Sequence, residues 1–258
     1  MTETIVTRDE KGNVIHKKLP TCEEYGYDEV GRIIYYKDSR GNEWWYNSQG
    51  CYTHVKEVEE GWQREEWFEY HSNDFLSHYR NSNGEERGYD EYSNLIYTKS
   101  PNGREEWRNS HGIVTRQKHS NGYELLFNSN GDLIYVKDSK GCEKWFNDDG
   151  KLTLAKGPNG CEERYDSEGK LTYEKFLSGY EGWFGSNEKV IHGKYPSGLE
   201  VWYEYDSNGK RVSGKDSDGL EWRFHSNGNC MYEKDSKGNE WWYDEDENEI
   251  PNPNLKDA

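Results

Sequence analysis

The sequence predicts an all-β fold, an elongated, twisted antiparallel β-meander of about a dozen 19-residue hairpin repeats, open or curled on itself. Three observations predict it. Glycine recurs at Gly84, Gly103, Gly122, Gly141, Gly160, Gly179 and Gly198 in uniform steps of 19, and Gly41, Gly219 and Gly238 continue the series at slightly irregular spacing. Glutamate stands two residues after each, at Glu43, Glu86, Glu105, Glu124, Glu143, Glu162, Glu181, Glu200, Glu221 and Glu240. A second series, Gly12, Gly31, Gly50, Gly112, Gly131, Gly150, Gly169, Gly209 and Gly228, alternates with the first, and segments of six or seven residues rich in Trp, Tyr, Phe, Leu, Ile and Thr lie between the two. A period this short means that each unit is stable only by pairing with its neighbours.

Within one unit the elements follow in order. The first turn, as in Lys137-Asp138-Ser139-Lys140-Gly141, suits a three-residue loop that ends on a left-handed glycine, the G1-bulge hairpin. The strand after it opens on the glutamate. The second turn, as in Phe146-Asn147-Asp148-Asp149-Gly150, reverses the chain again. Non-glycine turns are expected near Asn73, Asn94, Glu188 and Asn248, which gives roughly 23 strands and, at about 4.8 Å each, a straight sheet of about 110 Å that twist must coil. Lysines at 37, 99, 118, 137, 156, 175, 215 and 234 precede the first-type turns, so that Lys37 faces Glu43 and Lys137 faces Glu143 as register-setting ladders. Two three-residue loops carry a strand position forward by 20 residues, whereas the sequence repeats every 19. Either a bulge absorbs one residue per unit, or the two faces are built alternately from the same motif.

Glu143 and Trp145 share one face and Phe146 points to the other, in a column with Tyr46, Tyr89, Phe127, Tyr165, Phe184, Tyr203, Phe224 and Tyr243. Aromatic residues on both faces predict a sheet that curls over itself or lays one face on a partner. Two units are irregular: Gly61 to Asp74, with Trp62, Trp67 and Phe68 in a lengthened strand, and Leu199 to Gly209, with two extra residues in Val-Trp-Tyr-Glu-Tyr. Residues 1–250 read as a single β-repeat domain and residues 251–258 as a disordered C-terminal tail.

Composition bounds function. The 258 residues carry a formal net charge of -17, and Leu, Ile, Val and Phe make up about 15% of the chain, a disorder-like composition that 11 Trp and 21 Tyr at fixed phase overturn. The acidic balance argues against direct nucleic-acid or anionic-membrane binding and suits a basic protein surface. The start, MTETIVTRDE, has no basic n-region or apolar h-region, no run reaches the length of a membrane span, and a cytoplasmic location is expected. Cys22, Cys51, Cys142, Cys161 and Cys230 lack CxxC spacing. Cys142 and Cys161 fall two strands apart, about 9–10 Å and beyond disulfide reach, so free thiols are expected.

Arg164-Tyr165-Asp166-Ser167-Glu168-Gly169-Lys170-Leu171 and Tyr203-Glu204-Tyr205-Asp206-Ser207-Asn208-Gly209 resemble the tyrosine-aspartate (YD) repeats of Rhs-type bacterial proteins. The glycine-punctuated hairpins also resemble MORN-type repeats, and strings of the form K-D-S-x-G-x-E-W-W-Y resemble uncharacterised tailed-phage repeat proteins. The phage resemblance implies a small intracellular effector made during infection. Trp45-Tyr46-Asn47-Ser48-Gln49-Gly50 shares the look of choline- and glucan-binding repeats, without their glycine-tryptophan pairing.

No P-loop, dinucleotide fingerprint or nucleophile elbow is present, and the eight histidines show no zinc spacing. Asp244, Asp246 and Asn248 imitate the start of a calcium loop whose glycine and twelfth-position glutamate are missing. The chain is therefore read as no enzyme, without cofactor or metal. The favoured function is a non-catalytic acidic repeat that binds the basic surface of a protein or nucleoprotein complex. In a phage setting that makes it an inhibitor of a host nucleic-acid enzyme or of a defence complex such as CRISPR. A carbohydrate-binding module is the alternative, and an enzyme sited at a repeat irregularity is the third class. The candidate binding residues are Trp45, Trp62, Trp67, Phe68, Trp107, Trp145, Trp183, Trp202, Tyr203 and Trp242.

Overall fold

The computed structural model describes residues 3–253, so the predicted tail lies in part, from residue 254 on, outside the described residues. The chain divides into two units, one ending at Asp132 and the other beginning at Leu133. The first holds thirteen strands, β1 (Ile5–Arg8) to β13 (Glu124–Phe127), and the second another thirteen, β14 (Leu133–Lys137) to β26 (Glu249–Ile250). No helix is present among the described residues. Within each unit every strand pairs antiparallel with its neighbours in sequence, and neither meander closes into a barrel.

Each turn between consecutive strands contains one left-handed residue. Twenty are glycines, and five are Cys22, Asp74, Ser93, Glu188 and Glu247. The last four lie at or beside the expected non-glycine turns. The strand total exceeds 23 because a count of strands that follow turns omits β1, the turn at Cys22 carries no glycine, and Gly61 closes a hairpin of its own inside a segment read as one irregular unit. The first-type turn takes the expected form at Gly141: Asp138 N–H donates to the Cys142 carbonyl (2.9 Å), and Gly141 N–H donates to the Asp138 carbonyl (3.0 Å). The Asp138 carboxylate also accepts the N–H groups of Lys140 (2.8 Å) and Cys142 (2.9 Å), which fixes the loop from inside.

A bulge settles the 19-versus-20 mismatch. In β15 (Glu143–Phe146) and β16 (Leu152–Lys156), Trp145 faces Leu154 but Phe146 faces Leu152, so Thr153 has no partner and one residue is absorbed. The Thr153 hydroxyl donates to the Trp145 carbonyl (3.1 Å). The same shift occurs at Gly26/Tyr27, Trp45/Tyr46, Trp107/Arg108, Arg164/Tyr165, Trp183/Phe184 and Arg223/Phe224. Glu143 therefore faces Lys137 on one side and Lys156 on the other, and the glutamate column stays on one face.

Of the two alternatives that aromatic residues on both faces allow, a sheet curled over itself is not seen within either unit. Val55, Val201 and Tyr232 are the only buried hydrophobic residues among those described, and no side chain is fully buried. Each unit is a single layer. Its apolar area is removed from water by cross-strand neighbours on the same face, each pair contributing about 0.2–1 kcal/mol over alanine.

Candidate binding surface

One face of each unit carries two parallel columns, an aromatic one and a charged one. In the first unit β4 (Ile33–Lys37), β5 (Glu43–Tyr46), β6 (Tyr52–Glu59), β7 (Trp62–Tyr70) and β8 (Leu76–Asn81) align Tyr35, Trp45, His54, Trp67 and Arg80. The His54 ring lies parallel between two indoles, 4.3 Å from Trp45 and 5.1 Å from Trp67, and the Arg80 guanidinium sits 4.7 Å over Trp67. In the second unit β18 (Leu171–Lys175), β19 (Glu181–Phe184), β20 (Val190–Lys194), β21 (Glu200–Tyr205) and β22 (Arg211–Asp216) repeat this row as Tyr173, Trp183, His192, Trp202 and Lys215. His192 lies 4.4 Å from Trp183 and 4.9 Å from Trp202, with the Lys215 ammonium 5.8 Å over Trp202.

Both rows pass through the two irregular strands, β7 and β21, which share the pattern Glu-x-Trp-aromatic-Glu-Tyr at Glu65–Tyr70 and Glu200–Tyr205. The closing tyrosines are anchored alike: the Tyr70 hydroxyl donates to the Tyr52 carbonyl (2.7 Å) and the Tyr205 hydroxyl to the Val190 carbonyl (2.8 Å). Trp67 and Trp202 stay on the same face as the other tryptophans in their rows, because extra residues added in twos preserve the side-chain alternation.

The charged column is cross-linked to the aromatic one. The Tyr35 hydroxyl donates to Glu43 (2.8 Å) and that of Tyr173 to Glu181 (2.9 Å). His54 lies 3.3 Å from Glu65 and His192 lies 3.0 Å from Glu200. Burial, then the Glu181 hydrogen bond, pushes the Tyr173 hydroxyl up to about 12. Lys137 (2.9 Å) holds the Glu143 carboxyl below its usual range, and Lys18 (2.6 Å) does the same for Glu24.

This geometry decides what the tryptophans can offer. Besides Tyr35 and His54 on Trp45, and His54 and Arg80 on Trp67, Trp107 lies between Tyr97 (5.4 Å) and Arg116 (4.6 Å), and Trp145 between Tyr135 (5.1 Å) and Lys156 (5.8 Å). Trp242 carries Tyr232 at 4.6 Å, and Phe68 carries Tyr79 at 5.4 Å. Arg211 lies 4.2 Å over Tyr203. These rings are half-buried, each beside at least one neighbour on an adjacent strand.

Trp62 differs. It is 47% exposed, the only tryptophan of exposed character among the described residues. The hairpin of β6 and β7 continues past the Lys56–Glu65 pair through Glu57–Arg64, Val58–Gln63 and Glu59–Trp62, whereas a hairpin such as Lys37–Glu43 closes after one more rung. Two extra rungs carry its tip about 7 Å beyond the neighbouring turns. Val58 N–H donates to the Asn42 side chain (2.8 Å) and fastens the base of the projection, while Trp62 Nε1 donates to Glu59 (3.1 Å) at its tip. The exposed tip thus combines Val58, Glu59, Glu60 and Trp62.

Among the described residues no three His, Cys, Asp or Glu side chains gather to hold a metal ion. The Asp244 carboxylate accepts the N–H groups of Asp246 (2.9 Å) and Asn248 (2.9 Å), the same internal turn brace seen at Asp138. All five cysteines are free. A surface cleft of about 470 Å³ lies beside Trp202 and Trp222, and within it Ser213 donates to Glu204 (2.6 Å). Sequence reasoning missed the two histidines as row members, although both follow a tryptophan by nine residues, at Trp45/His54 and Trp183/His192.

No protein-family model and no curated protein matches the chain. Among solved structures, the TcdB2-TccC3-Cdc42 crystal structure is similar over 95% of this chain at 11% identity and a TM-score of 0.23, and the chain spans 21% of that chain's length. The G-box domain of the microcephaly protein CPAP is similar over 58% of this chain and 92% of its own, at 14% identity and a TM-score of 0.30. The wild-type TCP10 domain of Danio rerio CPAP is similar over 69% and 97%, at 13% identity and a TM-score of 0.26. The chain is a β-repeat protein on its own hairpin series, and these loose likenesses assign no residue a role.

Proposed function

We propose that this chain is a non-catalytic acidic β-repeat protein that binds the basic surface of a macromolecular protein partner. The observation that carries the reading is the projecting β6–β7 hairpin. It raises an exposed indole between carboxylates above the sheet edge, and aromatic anchors of this kind dominate binding energy, while surrounding charge steers encounter. In its finer form the reading takes the chain for a YD-like or MORN-like repeat encoded by a phage, acting in the cytoplasm on a host nucleic-acid enzyme or defence complex. A net charge of -17 favours a partner whose own surface is built to hold a polyanion. The sugar-binding alternative needs bare ring faces for stacking, and a cross-strand ring or cation lies over a face of Trp45, Trp67, Trp107, Trp145, Trp183 and Trp202.

The test is capture of a stoichiometric partner from host lysate by the tagged chain at about 0.05 M and about 0.5 M salt, where the screening length falls several-fold. A protein retained at low salt, weakened at high salt and lost with Trp62→Ala supports the reading. Retention that is indifferent to both Trp62→Ala and Glu59→Gln/Glu60→Gln removes its basis.

A further inference from the structure

Five of the first-type turns share a side-chain brace, and two neighbours in the second unit are among those that lack it and expose apolar side chains in its place. At Asp38, Asn81, Asp138, Asp216 and Asp235 the leading side chain accepts two backbone N–H groups and braces the loop. At Phe176-Leu177-Ser178-Gly179-Tyr180 and Tyr195-Pro196-Ser197-Gly198-Leu199 the leading residue is aromatic and its side chain does not take up the turn's N–H groups. Only long serine contacts remain, Tyr180 N–H to Ser178 (3.5 Å) and Leu199 N–H to Ser197 (3.3 Å). In place of the brace the two turns expose apolar surface: Phe176 is 48%, Leu177 70% and Tyr195 38% exposed. A contiguous exposed apolar patch marks a contact.

The patch is held in place. Tyr180 lies 5.9 Å from Phe176 and 5.3 Å from Tyr195, ring to ring. It packs onto the facing pair Gly182 and Gly193, where an added Cβ would come within 3.2 Å of it at either position. These glycines are needed for that close approach, not for backbone freedom.

Charge lies beside it. On the same face Glu174 of β18 stands opposite Glu163 of β17 (Glu162–Tyr165), and like charges facing across strands are unfavourable. The Glu174 carboxylate reaches the Gly182 site beneath Tyr180, within 3.3 Å of a Cβ there. Burial, then the Glu163 charge, pushes the Glu174 carboxyl up. Lys175 points to the opposite face, toward Glu181 (3.6 Å), and Lys144 is two strands away from Glu163.

We infer that this edge of the second unit is a docking surface for a protein segment bearing Lys or Arg beside apolar side chains, the apolar groups seating on Phe176, Leu177 and Tyr195 and the cation meeting Glu163 and Glu174. The inference rests on the protein-binding reading above but uses a different surface. The cation relieves the facing carboxylates and the apolar groups cover Phe176, Leu177 and Tyr195, so one segment satisfies the charge and the apolar surface together.

The test uses the full chain and two fluorescein-labelled 12-residue peptides, one alternating Leu/Trp with Lys and the other with Glu in place of Lys, read by anisotropy. The Lys peptide is expected to bind and the Glu peptide not. Phe176→Ser/Leu177→Ser and Glu163→Gln/Glu174→Gln should each weaken binding about tenfold or more, as loss of an anchor does. Equal binding by all variants would mean diffuse attraction to an acidic protein and overturns the proposal, as does no binding at all. If lysate capture fails with Trp62→Ala yet the patch variants capture and bind the peptide normally, the protein-binding reading stands and this surface is wrong. Sedimentation velocity covers the remaining occupant: a dimer lost with Phe176→Ser/Leu177→Ser assigns the patch to a second copy and also overturns the proposal. Unchanged near-ultraviolet circular dichroism confirms that the exposed-turn variants remain folded.

Discussion

Replacing His192 with alanine tests whether the aromatic row holds a single-layer sheet together. The imidazole lies flat between Trp183 at 4.4 Å and Trp202 at 4.9 Å, tilted from them by only 16° and 5°, and meets Glu200 at 3.0 Å. Each of the two ring contacts is worth about 0.5–1.5 kcal/mol and the hydrogen bond about 0.5–1.5 kcal/mol, so the variant should lose about 1.5–4.5 kcal/mol. With no second layer to close over the gap, little of that loss can be recovered by repacking. Urea unfolding followed by tryptophan fluorescence and far-ultraviolet circular dichroism gives the value. His192→Phe keeps both ring faces and gives up only the Glu200 contact, so it should cost less than about 1.5 kcal/mol. A His192→Ala loss under about 0.5 kcal/mol, or equal losses for alanine and phenylalanine, would refute the reasoning, because stacking would then contribute nothing to cohesion.

Gly193→Ala places a methyl group 3.2 Å from the Tyr180 hydroxyl and should cost about 1–3 kcal/mol by overpacking; in the Tyr180→Ala background that cost should vanish, and additive losses in a double-mutant cycle would show the contact to be unimportant. Gly141→Ala forces a side chain onto a φ of +88° and should lose about 1–2 kcal/mol, while Glu188→Gly, at a φ of +59°, should raise the urea midpoint; opposite signs would be incompatible with one left-handed residue per turn. Lysine partners at Glu24, Glu143 and Glu221, and the Tyr173 hydroxyl at Glu181, hold these carboxyls below their usual 4.5. Their folded-state values are depressed, so the stability they contribute is complete above about pH 4.5 and is lost as pH falls through the lowered values. The melting temperature should therefore drop steeply below pH 4.5, and Lys137→Met should shrink that drop; a melting temperature flat from pH 6 to 3 contradicts the ladder.

The hairpins were legible because their cause is local. A left-handed glycine after a three-residue loop reverses the chain whatever surrounds it, and the facing of Lys137 and Glu143 follows from that loop. The turn at Cys22 was not legible, since a left-handed cysteine has no sequence signature. Phe68, Trp67 and Trp202 were singled out from irregular spacing, but their surroundings depend on Tyr79, His54 and His192 on neighbouring strands. The exposed Phe176 and Tyr195 turns could have been found from sequence, because both replace the polar residue that leads most first-type turns.

By itself the sequence determined that this chain is an antiparallel meander with one reversal every nine or ten residues, because glycine placement and strand alternation act over a few neighbouring residues. Only the tertiary structure decided three things: that a bulge at positions such as Thr153 keeps the glutamates on one face, that cross-strand rings or cations lie against most tryptophans while Trp62 stands exposed, and that Glu163 meets Glu174 beside the apolar turns. Each depends on pairing between strands, and register between strands is a property of the assembled sheet that no single repeat contains.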